Sequence, residues 1–128
     1  VLLDIVTNDP VWVDWSIMAL AAAQATGPLL INDIVYAEVS TRFKDTHALD
    51  DFVLGSGLEH VAIPKEALFS AARVHIQYRR AGGLRTGVLP DFFIGAHAMA
   101  IDNPILTRDA GRYKTYFPSV SLIIPKMN

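Results

Sequence analysis

Glu38, Asp91 and Asp109 stand apart from the ordinary surface charge of this chain, because each is flanked by apolar residues at or near an element boundary. Carboxylates gathered without a counter-charge repel one another, and their pKa values rise unless a cation sits between them. Mg²⁺ is the natural guest, with Mn²⁺ as the alternative. It is a hard ion that takes oxygen ligands from a few carboxylates while keeping waters and substrate phosphate. Such an ion generates hydroxide and stabilises charge on a phosphodiester in transit. The pattern points to a metal site. The same residues also read as a partly exposed helical acid, a helix-start acid and a turn former, and spacing alone leaves both readings open.

The stretch Leu89–Asp109 must position this chemistry. Pro90 suits a helix start, where its missing N–H would have no intrahelical partner. Asp91 then falls in the first turn, where the helix dipole favours an ionised carboxylate. Phe92, Phe93, Ala96 and Ala100 follow at helical spacing and predict a buried face. Asn103-Pro104 breaks the helix, Ile105-Leu106-Thr107 reads as a short buried strand, and Asp109 comes just past its end. Ligands in α/β proteins bind at the C-terminal ends of strands, so helix start and strand end bring Asp91 and Asp109 to one sheet edge. Asp102 lies roughly 16 Å further along the helix and is expected outside the site. His97 is turned off the Asp91 face and reads as structural, as does His75.

Elsewhere, Val11, Trp15, Met18, Ala19 and Ala22 form one helical stripe. Leu29-Leu30-Ile31 is a short apolar run of the parallel-strand kind. Asn32 or Asp33 caps a helix through about Lys44 that carries Glu38, and Thr46 opens another, closed at Gly55 or Gly57. His60–Ile63 reads as a strand, followed by a helix from Lys65 to about Arg80 with Leu68, Ala71, Ala72, His75 and Ile76 as its core face. Residues 82–87 form a mobile loop, a short helix follows Asp109, and Val120–Ile124 is a last strand. Strands alternating with helices imply a parallel sheet covered on both faces.

Composition narrows the class. The chain's 128 residues, 52% hydrophobic and 19% charged, suit one domain with a real core. A net charge of -2 leaves no general nucleic-acid footprint, so such binding would need a local basic patch. Arg79, Arg80, Arg85 and Arg108 bracket the acidic cluster and suit phosphate binding, or else a solvated surface. Tyr113 and Tyr116 suit base stacking or, more simply, packing. Absence of cysteine excludes disulfides and thiolate metal sites and fits a reducing compartment. No apolar stretch approaches the roughly 20 residues of a membrane helix, and no basic segment precedes Ile17–Ala23 as a secretory signal requires. The expectation is a soluble, cytoplasmic protein. No dinucleotide-binding, Walker or nucleophile-elbow pattern occurs.

These residues resemble the PIN-domain ribonucleases, specifically the VapC-type toxins of toxin–antitoxin pairs, over nearly the whole chain. Tyr36-Ala37-Glu38-Val39 looks like the family's second acidic motif, Leu89-Pro90-Asp91-Phe92-Phe93-Ile94-Gly95-Ala96-His97-Ala98 its third, and Leu106-Thr107-Arg108-Asp109 its fourth. Gly111-Arg112-Tyr113 and Tyr116-Phe117-Pro118 follow as toxins often have them. One departure concerns the first motif, a strand ending in a catalytic aspartate. Val1-Leu2-Leu3-Asp4 looks like the segment just after it, with Asp4 matching a later, non-ligating acid. The expectation is a single PIN domain over residues 1–128, truncated ahead of Val1 so that its central first strand is missing.

The resemblance implies a three-layer α/β/α fold around a parallel sheet and Mg²⁺-dependent endoribonuclease activity. It assigns Glu38, Asp91 and Asp109 to catalysis and the metal, with Asp91 the foremost direct ligand. Thr107 supplies a supporting hydroxyl, and from the bracketing basic set Arg85 and Arg108 are the candidate RNA contacts. It further implies a VapB-like antitoxin laid over the groove, and a homodimer. Alternatives are an RNA-processing PIN nuclease outside a toxin pair, a catalytically dead PIN module kept for binding and, more distantly, a phosphatase of the aspartyl-nucleophile type.

Overall fold

A computed structural model describes residues 1–126. The chain is a mixed α/β protein with short parallel strands, and it divides into two compact units, Val1–Ala62 with the tail from Pro125, and Ile63–Ile124. Among the described residues no helix is long and apolar enough to cross a membrane.

The first unit runs α1 (Leu2–Val6), α2 (Val13–Gln24), β1 (Leu29–Ile31), α3 (Asp33–Ser40), α4 (Thr46–Gly55) and β2 (Leu58–His60). Leu29, Ile31 and Leu58 form its core, packed by Leu20, Ala23, Val35, Tyr36, Phe52 and Val53 among others. The stripe predicted for α2 is not the buried one: Val11 and Met18 are 74% and 72% exposed. This segment is apolar on nearly every side, so periodicity does not choose a face. The choice falls to Ser16, which is buried and donates to the buried carboxylate of Asp4 at 2.8 Å. That bond turns Leu20 and Ala23, one and two turns on, toward the core.

Asn32 starts α3 by accepting from the N–H groups of Ile34 and Val35 at 3.0 and 3.1 Å. This helix ends at Ser40, short of Lys44, because Ser40 and Thr41 turn their hydroxyls back onto the carbonyls of Tyr36 and Glu38. The strand predicted at 60–63 begins two residues earlier, at Leu58. Gly57 adopts a φ of +70° and turns the chain directly from α4 into pairing, with Leu58 opposite Leu29 and His60 opposite Ile31.

The second unit runs α5 (Lys65–Arg80), α6 (Leu89–Ile101), β3 (Ile105–Leu106), α7 (Gly111–Tyr116) and β4 (Leu122–Ile123). Strands β3 and β4 pair in parallel with Ile105 opposite Leu122. Parallel pairing is as the helix–strand alternation predicts. Among the described residues it takes the form of two two-stranded pairs, β1–β2 and β3–β4, rather than one continuous ladder. The core is Phe92, Ala96 and Ala98 of α6 with Ala67 and Ala71 of α5, Val88, Ile105, Tyr113 and Phe117.

Two predicted faces need correction. On α5 the buried line is Ala67 and Ala71, with Val74 and Tyr78 packed against the core, whereas Leu68, Ala72 and Ile76 are exposed. Small alanines let α5 lie close along α6, which Leu68 would prevent. On α6, Phe92 and Ala96 are buried as predicted, but Ala100 is exposed near the helix end, and Gly95, His97 and Ala98 are buried instead.

Gly95 is where the ring of Phe117 seats: a Cβ there would come within 2.3 Å of the ring, which is itself 1% exposed. Gly95→Ala should therefore destabilise by roughly 1–3 kcal/mol through overpacking, although alanine is the better helix former. Gly55→Ala, with open space around its Cβ, should be neutral or stabilising. Thermal melts of both variants check this, and an unchanged or raised midpoint for Gly95→Ala would refute the packing account.

Candidate active site

Helix α6 begins with Pro90 in its first turn and with no side-chain cap on its leading N–H groups, so Asp91 sits where the dipole favours an anion. At the far end, Asp102 takes the left-handed conformation (φ 54°, ψ 47°) as the C-cap, a role acids tolerate better than most residues. Asp102 is thus a helix terminator at the opposite end from Asp91. His97 is buried on the core side of the same helix.

Strand β3 delivers the second carboxylate. Thr107 continues the ladder, its N–H donating to the Ile123 carbonyl at 3.0 Å. Its hydroxyl accepts from the Asp109 N–H at 3.1 Å. Asp109 Oδ1 in turn accepts from the Gly111 N–H at 3.3 Å, at the start of α7. The strand end, the acid and the short helix are therefore held as one local unit.

Asp91, Thr107 and Asp109 come together as three of the five residues lining one open pocket of about 50 Å³, with Arg112 and Tyr113 of α7 as the others. The guanidinium of Arg112 donates to Asp91 Oδ2 and forms an ion pair with it. Burial pushes the Asp91 carboxyl above its ordinary 3.8. The Arg112 charge and its hydrogen bond pull it back down, the Asp109 charge pushes it up again, and a Tyr113 hydrogen bond lowers it; burial prevails.

The other expected residues are not among those lining this pocket. Glu38 is an exposed residue of α3 in the first unit. Arg85 and Arg108 are exposed and do not line the pocket. The arginine that does line it is Arg112. The signal for it was its place three residues after a strand-end acid, which puts it in the first turn of the following helix, and Tyr113 comes with it.

Two carboxylates and a hydroxyl are hard oxygen donors, and an open pocket lets an ion keep its waters. That donor set fits Mg²⁺ or Mn²⁺ held by one or two carboxylates plus water and phosphate. Among the described residues no group of three or more His, Cys, Asp or Glu side chains is gathered to hold a metal by itself. A site here would therefore be water-rich.

Comparison with known proteins bears on the fold. No protein-family model matches the chain, and no curated protein matches it. Among solved structures it is similar to the crystal structure of VapBC2 from Rickettsia felis bound to a DNA fragment from their promoter. The TM-score is 0.65 at 18% sequence identity, over 98% of this chain and 93% of that one. At that identity the likeness carries the fold, a PIN-like α/β arrangement of helices and short parallel strands.

Proposed function

We propose that the chain is a Mg²⁺-dependent endoribonuclease and the toxin component of a toxin–antitoxin pair. The observation that carries this reading is the pocket in which Asp91 and Asp109 meet beside Thr107 and Arg112. The fold, similar to a VapBC2 structure, supports it. Asp91 and Asp109 would hold the metal. The ion would supply an activated water and charge stabilisation for the phosphodiester.

The chain's own groups do the rest. Asp91, whose burial strengthens its hold on a proton, and Asp109 orient the attacking water and accept its proton. Water adds to phosphorus as the bond to the leaving sugar oxygen breaks, and that oxygen takes a proton from solvent to leave as the hydroxyl. Arg112, once released from Asp91, would donate to phosphate oxygens, with Arg85 and Arg108 as further RNA contacts. A VapB-like antitoxin is the proposed partner, with a homodimer as the working assembly. One observation favours a second reading: Arg112 already neutralises part of Asp91, as a nuclease-dead module kept for binding would have it.

Asp91→Asn separates the two readings. The raised pKa means that the folded state binds the proton more tightly than the unfolded chain. Stability is therefore lost as pH rises through the ordinary carboxylate range toward the raised folded value. At pH 7 the charge opposes folding, so Asp91→Asn should melt at or above the parent temperature. That advantage should shrink below about pH 4. Mg²⁺-dependent cleavage of a labelled RNA should fall to background in the variant and on adding EDTA to the parent. Undiminished cleavage by folded Asp91→Asn would remove Asp91 from the mechanism, and a parent chain inert with every divalent ion would favour the binding module.

A further inference from the structure

The pocket carries its own cation. Arg112 reaches Asp91 from α7, whose first N–H is held by Asp109, so one acid anchors the element that neutralises the other. Neither partner is dissolved in water: the Arg112 and Asp91 side chains are 25% and 34% exposed. A divalent ion approaching Asp91 Oδ2 meets that guanidinium at the same oxygen. Two like charges cannot share it closely in a half-buried site, where Coulomb repulsion is only partly screened. We propose that Arg112 is the resident counter-ion of the Asp91–Asp109 pocket, displaced when a divalent cation binds, so that Arg112 sets the metal affinity of the site.

This inference rests on the metal-site reading above and adds an element to it. In the metal-free protein Arg112 gives a half-buried acid its counter-charge. Once displaced, its planar fork of donors is available in the same pocket to the phosphate of the RNA, a geometry that lysine does not reproduce. The residue therefore opposes metal binding and favours phosphate binding. Metal alone should bind weakly to this chain.

Calorimetric titration with Mn²⁺ tests the competition on the full chain. Arg112→Gln should bind Mn²⁺ roughly three- to tenfold more tightly than the parent, the size expected of a partly screened ion pair. Asp91→Asn should not bind. If folded Arg112→Gln binds no better than the parent while Asp91→Asn still loses the ion, Arg112 is no competitor and the metal site stands without it. If neither the parent nor Arg112→Gln binds Mn²⁺, the metal reading itself fails and takes the inference with it. A measurement on the unaltered protein guards against a variant that does not fold. Titration with Mg²⁺ should shift the Arg112 side-chain N–H resonance and speed its exchange with water, and a resonance unmoved at saturation would overturn the proposal.

Discussion

The carboxylate of Asp91, half-withdrawn from water, is the constraint on which the second unit's chemistry depends. Burial raises the proton affinity of such a group, and the charge of the neighbouring Asp109 raises it further. The fold answers with a guanidinium from α7 and a hydrogen bond from Tyr113, and the answer is incomplete, because the carboxyl still holds its proton more tightly than usual.

That tension is maintained by packing some way from the pocket. The ring of Phe117 lies against Gly95, in the middle of α6, and follows directly on α7. Phe92 sits in the same core, with Tyr116 and Phe117 rings 5.3 and 6.4 Å from it. These contacts fix α7 relative to the first turn of α6, and so fix Arg112 relative to Asp91. Ile105, buried in the same cluster, does the same for the strand that ends at Thr107 and Asp109. A rigid scaffold of this kind is what allows two acids to be held near each other at all.

Much of this was legible in the sequence, and the parts that were not have definite causes. Pro90 and Asp91 announced the start of α6, and the bounds of α5 at Lys65 and Arg80 follow from Pro64 and the glycines after it. The meeting of Asp91 with Asp109 followed from helix start and strand end alone. The buried faces of α2 and α5 did not follow, because both helices offer two apolar lines. A hydrogen bond from Ser16 to Asp4 decides the first, and the small side chains that let α5 lie along α6 decide the second. Phe69 stays 61% exposed with the Arg73 guanidinium 4.6 Å above its ring, a surface pairing that hydrophobicity cannot anticipate. Arg112 was hidden for another reason: its role comes from pairing across 21 positions of sequence, and composition marks Arg85 and Arg108 equally well.

A hydrated divalent cation held by Asp91 and Asp109 is the proposal on which the functional reading rests. Paramagnetic broadening tests it most directly: substoichiometric Mn²⁺ added to isotope-labelled protein, with backbone amide signals followed residue by residue. A cation in this pocket should broaden Asp91, Thr107 and Asp109 first, with Arg112 and Tyr113 close behind, and leave the tip of α6 at Asp102 sharp. Broadening centred on other acids, or spread evenly over the surface, would contradict it.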